Sequence, residues 1–353
     1  MQAARQSWRA TPSLSYPFRD APALGATKQV AAGVFWVRMP LPFALEHVNL
    51  WLLGDGDGWT IVDCGLGTAT TRELWEQVLA GCLDRRPVQR LIVTHCHPDH
   101  IGLAAWLCEK FGLSPWMTYS EYAHAHAVYH RVAGANHAAL HTLHQRHGLD
   151  PARLGALNSH EGHYRRGVPS LPEAYRRIRH GERLIAGQNT WRVIVGHGHS
   201  PEHAALYCDK LGVLISGDML LPRISTNVSV WPMEPDGDPV GEFLDSLEQF
   251  KELPPDTLVL PSHGLPFQGM RARIAELDCH HRSRLERLTA VCGRPQTAAE
   301  VLPELFDRKL DDYHVVFAMG EAIAHLNHLM RCGTLDRVDD ANGVYRFVRR
   351  AAP

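Results

Sequence analysis

Four separate apolar runs in this chain each stop on a histidine or an aspartate: LIVTHCHPDH (91–100), VIVGHGHS (193–200), VLISGD (213–218) and LVLPSH (258–263). Short apolar runs bounded by turn residues read as buried strands. A polar group just past each run then sits at a sheet edge, and open α/β sheets hold ligands outside the carboxyl ends of their strands. A fold that satisfies the pattern must bring four strand ends to one place. That requirement constrains the architecture more than any single helix or turn in the chain.

Residues two apart in extended chain point the same way, so His95 and His97 share a direction and Cys96 points away. Asp99 and His100 follow across Pro98 as the chain turns into a helix. One short turn therefore offers two imidazoles to one metal ion, and a carboxylate plus an imidazole to a second. Zinc takes nitrogen and carboxylate ligands, and a catalytic site keeps a position open for water. Further ligands must come from the later runs, which end with His197, His199 and His203, with Asp218 and with His263. The chain has 23 histidines, an excess that metal ligation would explain.

The rest of the composition narrows the class of function. With 45% hydrophobic and 21% charged residues the 353-residue chain reads as a soluble globular protein. Its formal net charge of -2 indicates no bulk attraction to nucleic acid or anionic membrane. The eight cysteines (Cys64, Cys82, Cys96, Cys108, Cys208, Cys279, Cys292 and Cys332) form no C-x-x-C pair, which argues against a zinc ribbon and leaves reduced thiols as the expectation. No apolar h-region stands at the N-terminus, and no run approaches the roughly 20 residues of a membrane span. A cytoplasmic location is expected.

Along the chain, residues 1–29 read as an irregular lead-in. GDGDG between NLWLL and WTIVD is a hairpin signal, and TATTRELWEQVLAGCL reads as a helix capped by Thr70 or Thr71. HIGLAAWLCEKFG reads as a helix closed by Gly112. Residues 119–185 read as a helical, polar insertion able to overhang the site, before strands resume at TWRVIVGHGHS, AALYCDKLGVLISGD and DTLVLPSHG. After residue 270 come three helical patterns and a hairpin turning at Asn342-Gly343. This predicts a catalytic domain over 30–270 and a winged-helix-like domain over 271–353.

On the residues His95, His97, Asp99 and His100, the chain resembles the metallo-β-lactamase superfamily, whose hallmark is H-x-H-x-D-H. The family's next ligand corresponds to His199 in HSPEH, where Glu202 stands in place of the usual glycine. Its bridging aspartate corresponds to Asp218 in SGD, its last histidine to His263 in PSHG, and its early aspartate to Asp63 in VDCG. The resemblance spans roughly residues 30–265. It implies an αββα sandwich with a dinuclear site at one edge. It further implies that His95, His97 and His199 hold one metal, that Asp99, His100 and His263 hold the other, and that Asp218 bridges them. Asp99 is thereby also the catalytic carboxylate, and Asp63 steadies a ligand imidazole by accepting its N–H. Two divalent ions are implied, zinc first, with iron or manganese as alternatives. The implied chemistry is attack of a metal-bridged hydroxide on a small ester-type bond, with a thioester or lactone ahead of a phosphodiester.

Other features are read more plainly. His197 is a strand-end residue and His203 a hydrogen-bonding neighbour of the ligands. His137, His141 and His144 share one helical face without a carboxylate to complete a site, so a solvated or substrate-facing surface is expected. RRIRHGER (176–183) is able to meet an anion, and Ser225, Thr226 or Asn227 to meet a substrate. The tail over 271–353 carries 13 Lys+Arg against 12 Asp+Glu, weak evidence for phosphate binding. A packing, dimerisation or pocket-shaping role is therefore preferred. An endoribonuclease or phosphodiesterase that holds RNA with this tail, and a non-catalytic nucleic-acid-binding regulator, are the alternative readings.

Overall fold

A computed structural model describes residues 14–42, 45–81, 83, 86–156, 162–307 and 309–351. Cys82 and residues 1–13 of the N-terminal lead-in lie outside these residues. The first sheet has seven strands in chain order: β1 (Thr27–Ala31), β2 (Val34–Pro40), β3 (His47–Asp55), β4 (Gly58–Val62), β5 (Val88–Ile92), β6 (Trp116–Met117) and β7 (Arg176–Arg177). Pairings through β1–β4 are antiparallel, and those from β4 to β7 are parallel. The second sheet comprises β8 (Arg183–Ala186), β9 (Asn189–Gly196), β10 (His203–Cys208), β11 (Val213–Gly217) and β12 (Leu258–Pro261), in the order β12-β11-β10-β9-β8.

Alternation along the strands builds two layers of core. In β9, Trp191, Val193 and Val195 face the first sheet's Trp36, Trp51 and Val62, while Ile194 faces the helices outside. β4 and β11 are buried along their whole length, which is why they read as continuous apolar runs rather than alternating ones. On the far side of the first sheet pack α1 (Ala69–Gly81), α2 (Pro98–Ile101), α3 (Ala104–Phe111) and α4 (Tyr119–His130). The outer face of the second sheet shares one cluster with α8 (Pro239–Lys251), α9 (Met270–Val291), α10 (Leu302–Leu305) and α11 (Asp312–Arg331). The architecture is an αββα sandwich with additional C-terminal structure ending in the hairpin of β13 (Leu335–Asp339) and β14 (Tyr345–Arg349).

Several local expectations hold. Gly56 adopts φ 62° in the two-residue turn between β3 and β4. Gly112 closes α3 in the left-handed conformation, its N–H on Cys108 O. Others are corrected. Thr68, not Thr70 or Thr71, caps α1: its Oγ1 accepts the Thr71 amide at 3.1 Å, because the helix already starts at Ala69. The single helix expected after Pro98 is broken into α2 and α3. The insertion is helical only through α4, α5 (His137–Arg146), α6 (Pro151–Ala156) and α7 (His163–Gly167). RRIRHGER instead contributes β7 and the start of β8, each at the edge of its sheet, where charged residues replace the apolar pattern that marks an inner strand. Arg176 lies over the Trp116 ring at 3.6 Å.

β9, β11 and β12 run in one direction, as do β4 and β5, so their carboxyl ends reach the same edge of the sandwich. Two backbone bonds tie the sheets together there, Ala204 N–H to Thr94 O (2.9 Å) and Asn49 N–H to Ser262 O (2.7 Å).

Candidate metal centre

The seven residues singled out from the strand ends lie together at this edge. His95, His97 and His199 form one group, Asp99, His100 and His263 a second, and His95, His100 and Asp218 a third, with ligand atoms within 4.8 Å of one another in each. Asp218 lies between the groups, 3.4 Å from His199 Nε2 and 3.5 Å from His263 Nε2.

Four of the five imidazoles are aimed by a bond on the far nitrogen. Asp63 accepts the His100 Nδ1–H (2.8 Å), the Thr94 hydroxyl (2.8 Å) and the Thr94 amide (2.7 Å). Because the Thr94 proton is committed to Asp63, the remaining lone pair of Thr94 Oγ1 accepts from His95 Nδ1 (3.0 Å). His199 Nδ1 donates to Asn227 O and His263 Nδ1 to His47 O, both at 2.8 Å. These four rings therefore turn their Nε2 atoms to the cluster. Asp63 holds φ 61°, a left-handed conformation costly for a residue with a Cβ. Its three bonds fix it there.

Ligand atoms crowd one another within the cluster. His95 Nε2 is 3.3 Å from His199 Nε2 and 2.9 Å from His97 Nδ1. His100 Nε2 and Asp218 Oδ1 are both buried, have no hydrogen-bond partner among the described residues, and stand 3.6 Å apart. Native structures pair nearly all buried polar atoms, so converging acceptors without partners fit a cation. Nitrogen and carboxylate donors in this mixture suit a divalent ion of the zinc, iron or manganese kind.

Electrostatics divide the cluster. Burial holds His97 down to about 3 and His95 well below its ordinary value, which neighbouring imidazoles reinforce for His95. These rings are neutral, as metal ligation requires. Burial would lower His100 as well, but Asp99, Asp63 and Asp218 raise it to about 9. Asp99 is depressed to about 2 against its own burial, chiefly by His100 and His263. Cys96 points into the core beneath the first sheet, where burial and then the Glu121 carboxylate push its thiol well above the usual range. It stays a neutral thiol.

Residues 44–263 match the family described as Metallo-beta-lactamase superfamily, and residues 285–350 match the Metallo-beta-lactamase-like, C-terminal domain. The chain belongs to the metallo-beta-lactamase superfamily. A crystal structure of a Beta-lactamase domain protein from Burkholderia ambifaria is 50% identical and superposes with a TM-score of 0.88 over 96% of this chain and 98% of that one. The probable metallo-hydrolase YqjP of Bacillus subtilis (strain 168) is 26% identical over 324 residues, 88% of this chain and 97% of its own. A hydroxyacylglutathione hydrolase of Rhodobacter capsulatus is 26% identical over 258 residues, 71% of this chain and 80% of its own. Membership and relatives make the protein a metallo-hydrolase of this superfamily, with the His/Asp cluster as its potential metal site. Among the described residues no helix is long and apolar enough to cross a membrane.

Other candidates fall elsewhere. His203 accepts the Asp218 amide at 3.1 Å through Nε2, the neighbour role expected of it. Thr226 is buried with its hydroxyl on Asp218 O (2.5 Å), and Asn227 uses its backbone carbonyl on His199, so these two shape the ligands. His144 is buried at 1% exposure rather than solvated, because its helix packs Leu143 into the outer core. Sequence reasoning does not find Thr94, although its place beside His95 and its β-branched hydroxyl are visible. It misses Glu121 entirely.

Proposed function

We propose that the cluster holds two divalent ions, zinc foremost, with His95, His97 and His199 on one, Asp99, His100 and His263 on the other, and Asp218 shared between them. The observation that carries this is the convergence of buried ligand atoms, His95 Nε2 3.3 Å from His199 Nε2, and His100 Nε2 and Asp218 Oδ1 without a hydrogen-bond partner among the described residues. Divalent ions, when bound, supply Lewis acidity and lower the pKa of water toward neutrality. The protein's own part is orientation. Asp63 and Thr94 fix His100 and His95, His47 O fixes His263, and Asn227 O fixes His199.

The substrate we propose is a small molecule with an ester-type bond, a thioester or a lactone. Similarity to a hydroxyacylglutathione hydrolase supports the thioester. The C-terminal charge pattern gives the RNA reading little support: Arg273, Arg282, Arg284, Arg337, Arg346 and Arg350 are each paired with a carboxylate. A panel of thioesters, lactones and RNA oligomers decides the class. Turnover of a thioester or lactone that His263→Ala abolishes is the expected result; cleavage of RNA alone overturns the assignment.

A further inference from the structure

The Cys96 residue separates His95 from His97, so its two flanking peptides set how those imidazoles stand relative to each other. Both peptides are held by the helical insertion. Glu121 Oε2, on α4, accepts the Cys96 amide at 2.8 Å, and the Tyr164 hydroxyl, on α7, donates to Cys96 O at 2.7 Å. The same Glu121 carboxylate reaches a second ligand loop: its Oε1 accepts the Glu202 amide at 2.7 Å, three residues beyond His199.

The reverse bonds come from Glu202. Thr118, the N-cap of α4, makes no side-chain cap of its own. Its hydroxyl instead donates to Glu202 O (2.8 Å), and Glu202 Oε2 accepts the Ser120 amide (2.9 Å). An orphan amide of the α4 first turn is thus capped from another loop, whose own amide is capped in return by Glu121. Glu121 has no exposure at all, and the helix N-terminus favours its charge. None of these bonds touches Asp99, His100 or His263; Asp63 orients His100, and the His47 carbonyl orients His263.

We infer that Glu121 is a positioning residue: it fixes the spacing of the three-histidine group by clamping the His95–His97 turn to the His199–His203 loop, with Tyr164 steadying the same turn. The inference rests on the metal reading above and adds an asymmetry to it. Glutamine at position 121 presents one acceptor and turns an NH2 toward the other backbone amide, so it cannot make both bonds. The test is titration of chelated protein with Zn2+ alone in competition with a chromogenic chelator, with thermal unfolding of the metal-free proteins alongside. Wild type is expected to take up two ions. Glu121→Gln is expected to keep one at wild-type affinity and to bind the other 10–100-fold more weakly, and Tyr164→Phe to weaken that same ion by less. Equal weakening of both ions, or unchanged constants in Glu121→Gln, overturns the clamp and leaves the metal reading standing. Wild-type protein that takes up no metal overturns both. Should Glu121→Gln fail to fold, Tyr164→Phe decides alone: a loss confined to one ion supports the clamp, and unchanged constants refute it.

Discussion

At the scale of single residues, the centre depends on groups that never point into it. Asp63 is the clearest case: it keeps a left-handed backbone and receives three bonds, one from a ligand imidazole and two from Thr94. Replacing it with alanine removes the acceptor that sets the His100 tautomer and frees the Thr94 hydroxyl that His95 leans on. We expect Asp63→Ala to lower metal affinity 10–100-fold, read by competition with a chelator, with backbone conformation retained by circular dichroism. The ligands themselves were legible in the sequence because they follow the ends of four apolar strands, Asp218 and His263 by one and two residues and the others by three to eight. Thr94 and Glu121 were not, since their roles lie in bonds to partners without any periodic signature. Glu121 binds amides 25 and 81 residues away.

At the scale of elements, the inner strands announced themselves by apolar runs, whereas β6 and β7, two residues each, are defined only by their neighbours. The helices beneath the second sheet carry a burden that their pattern hides. His281 on α9 and His325 on α11 are fully buried, their rings stacked and joined by a 3.1 Å bond. Around them lie Phe243 of α8, His280, His328 and the buried Arg284–Glu321 ion pair. Burial, then the facing cationic groups, depress His281 to about 2; burial likewise depresses His325 to about 3. In the unfolded chain both protonate near pH 6.5. Their effect on stability is therefore absent above that pH and destabilising below it, growing by up to about 1.4 kcal/mol per pH unit per histidine as pH falls toward 3. Denaturant unfolding of metal-free protein at pH 7.5 and 5.5 measures this. A His281→Leu/His325→Leu variant is expected to lose less stability over that interval than wild type, and an equal loss would show that the pair does not titrate this way.

At the scale of the whole molecule, two sheets bring strand ends from positions 63 to 263 to one edge, and the inserted helices brace the loops between them. The sandwich was legible through its strands and ligand motif. Contacts of the C-terminal helices were less so, because their apolar faces serve the outer face of the second sheet and their own packing at once. The substrate was not legible, because the ligand motif specifies a metal centre and not what binds beside it. If the cluster works as a metal centre, removing and restoring metal switches turnover off and on. Chelated protein should hydrolyse the proposed ester-type substrate negligibly and regain full turnover at two equivalents of Zn2+ per chain; chelated protein that turns over as fast as metallated protein would contradict a metal centre.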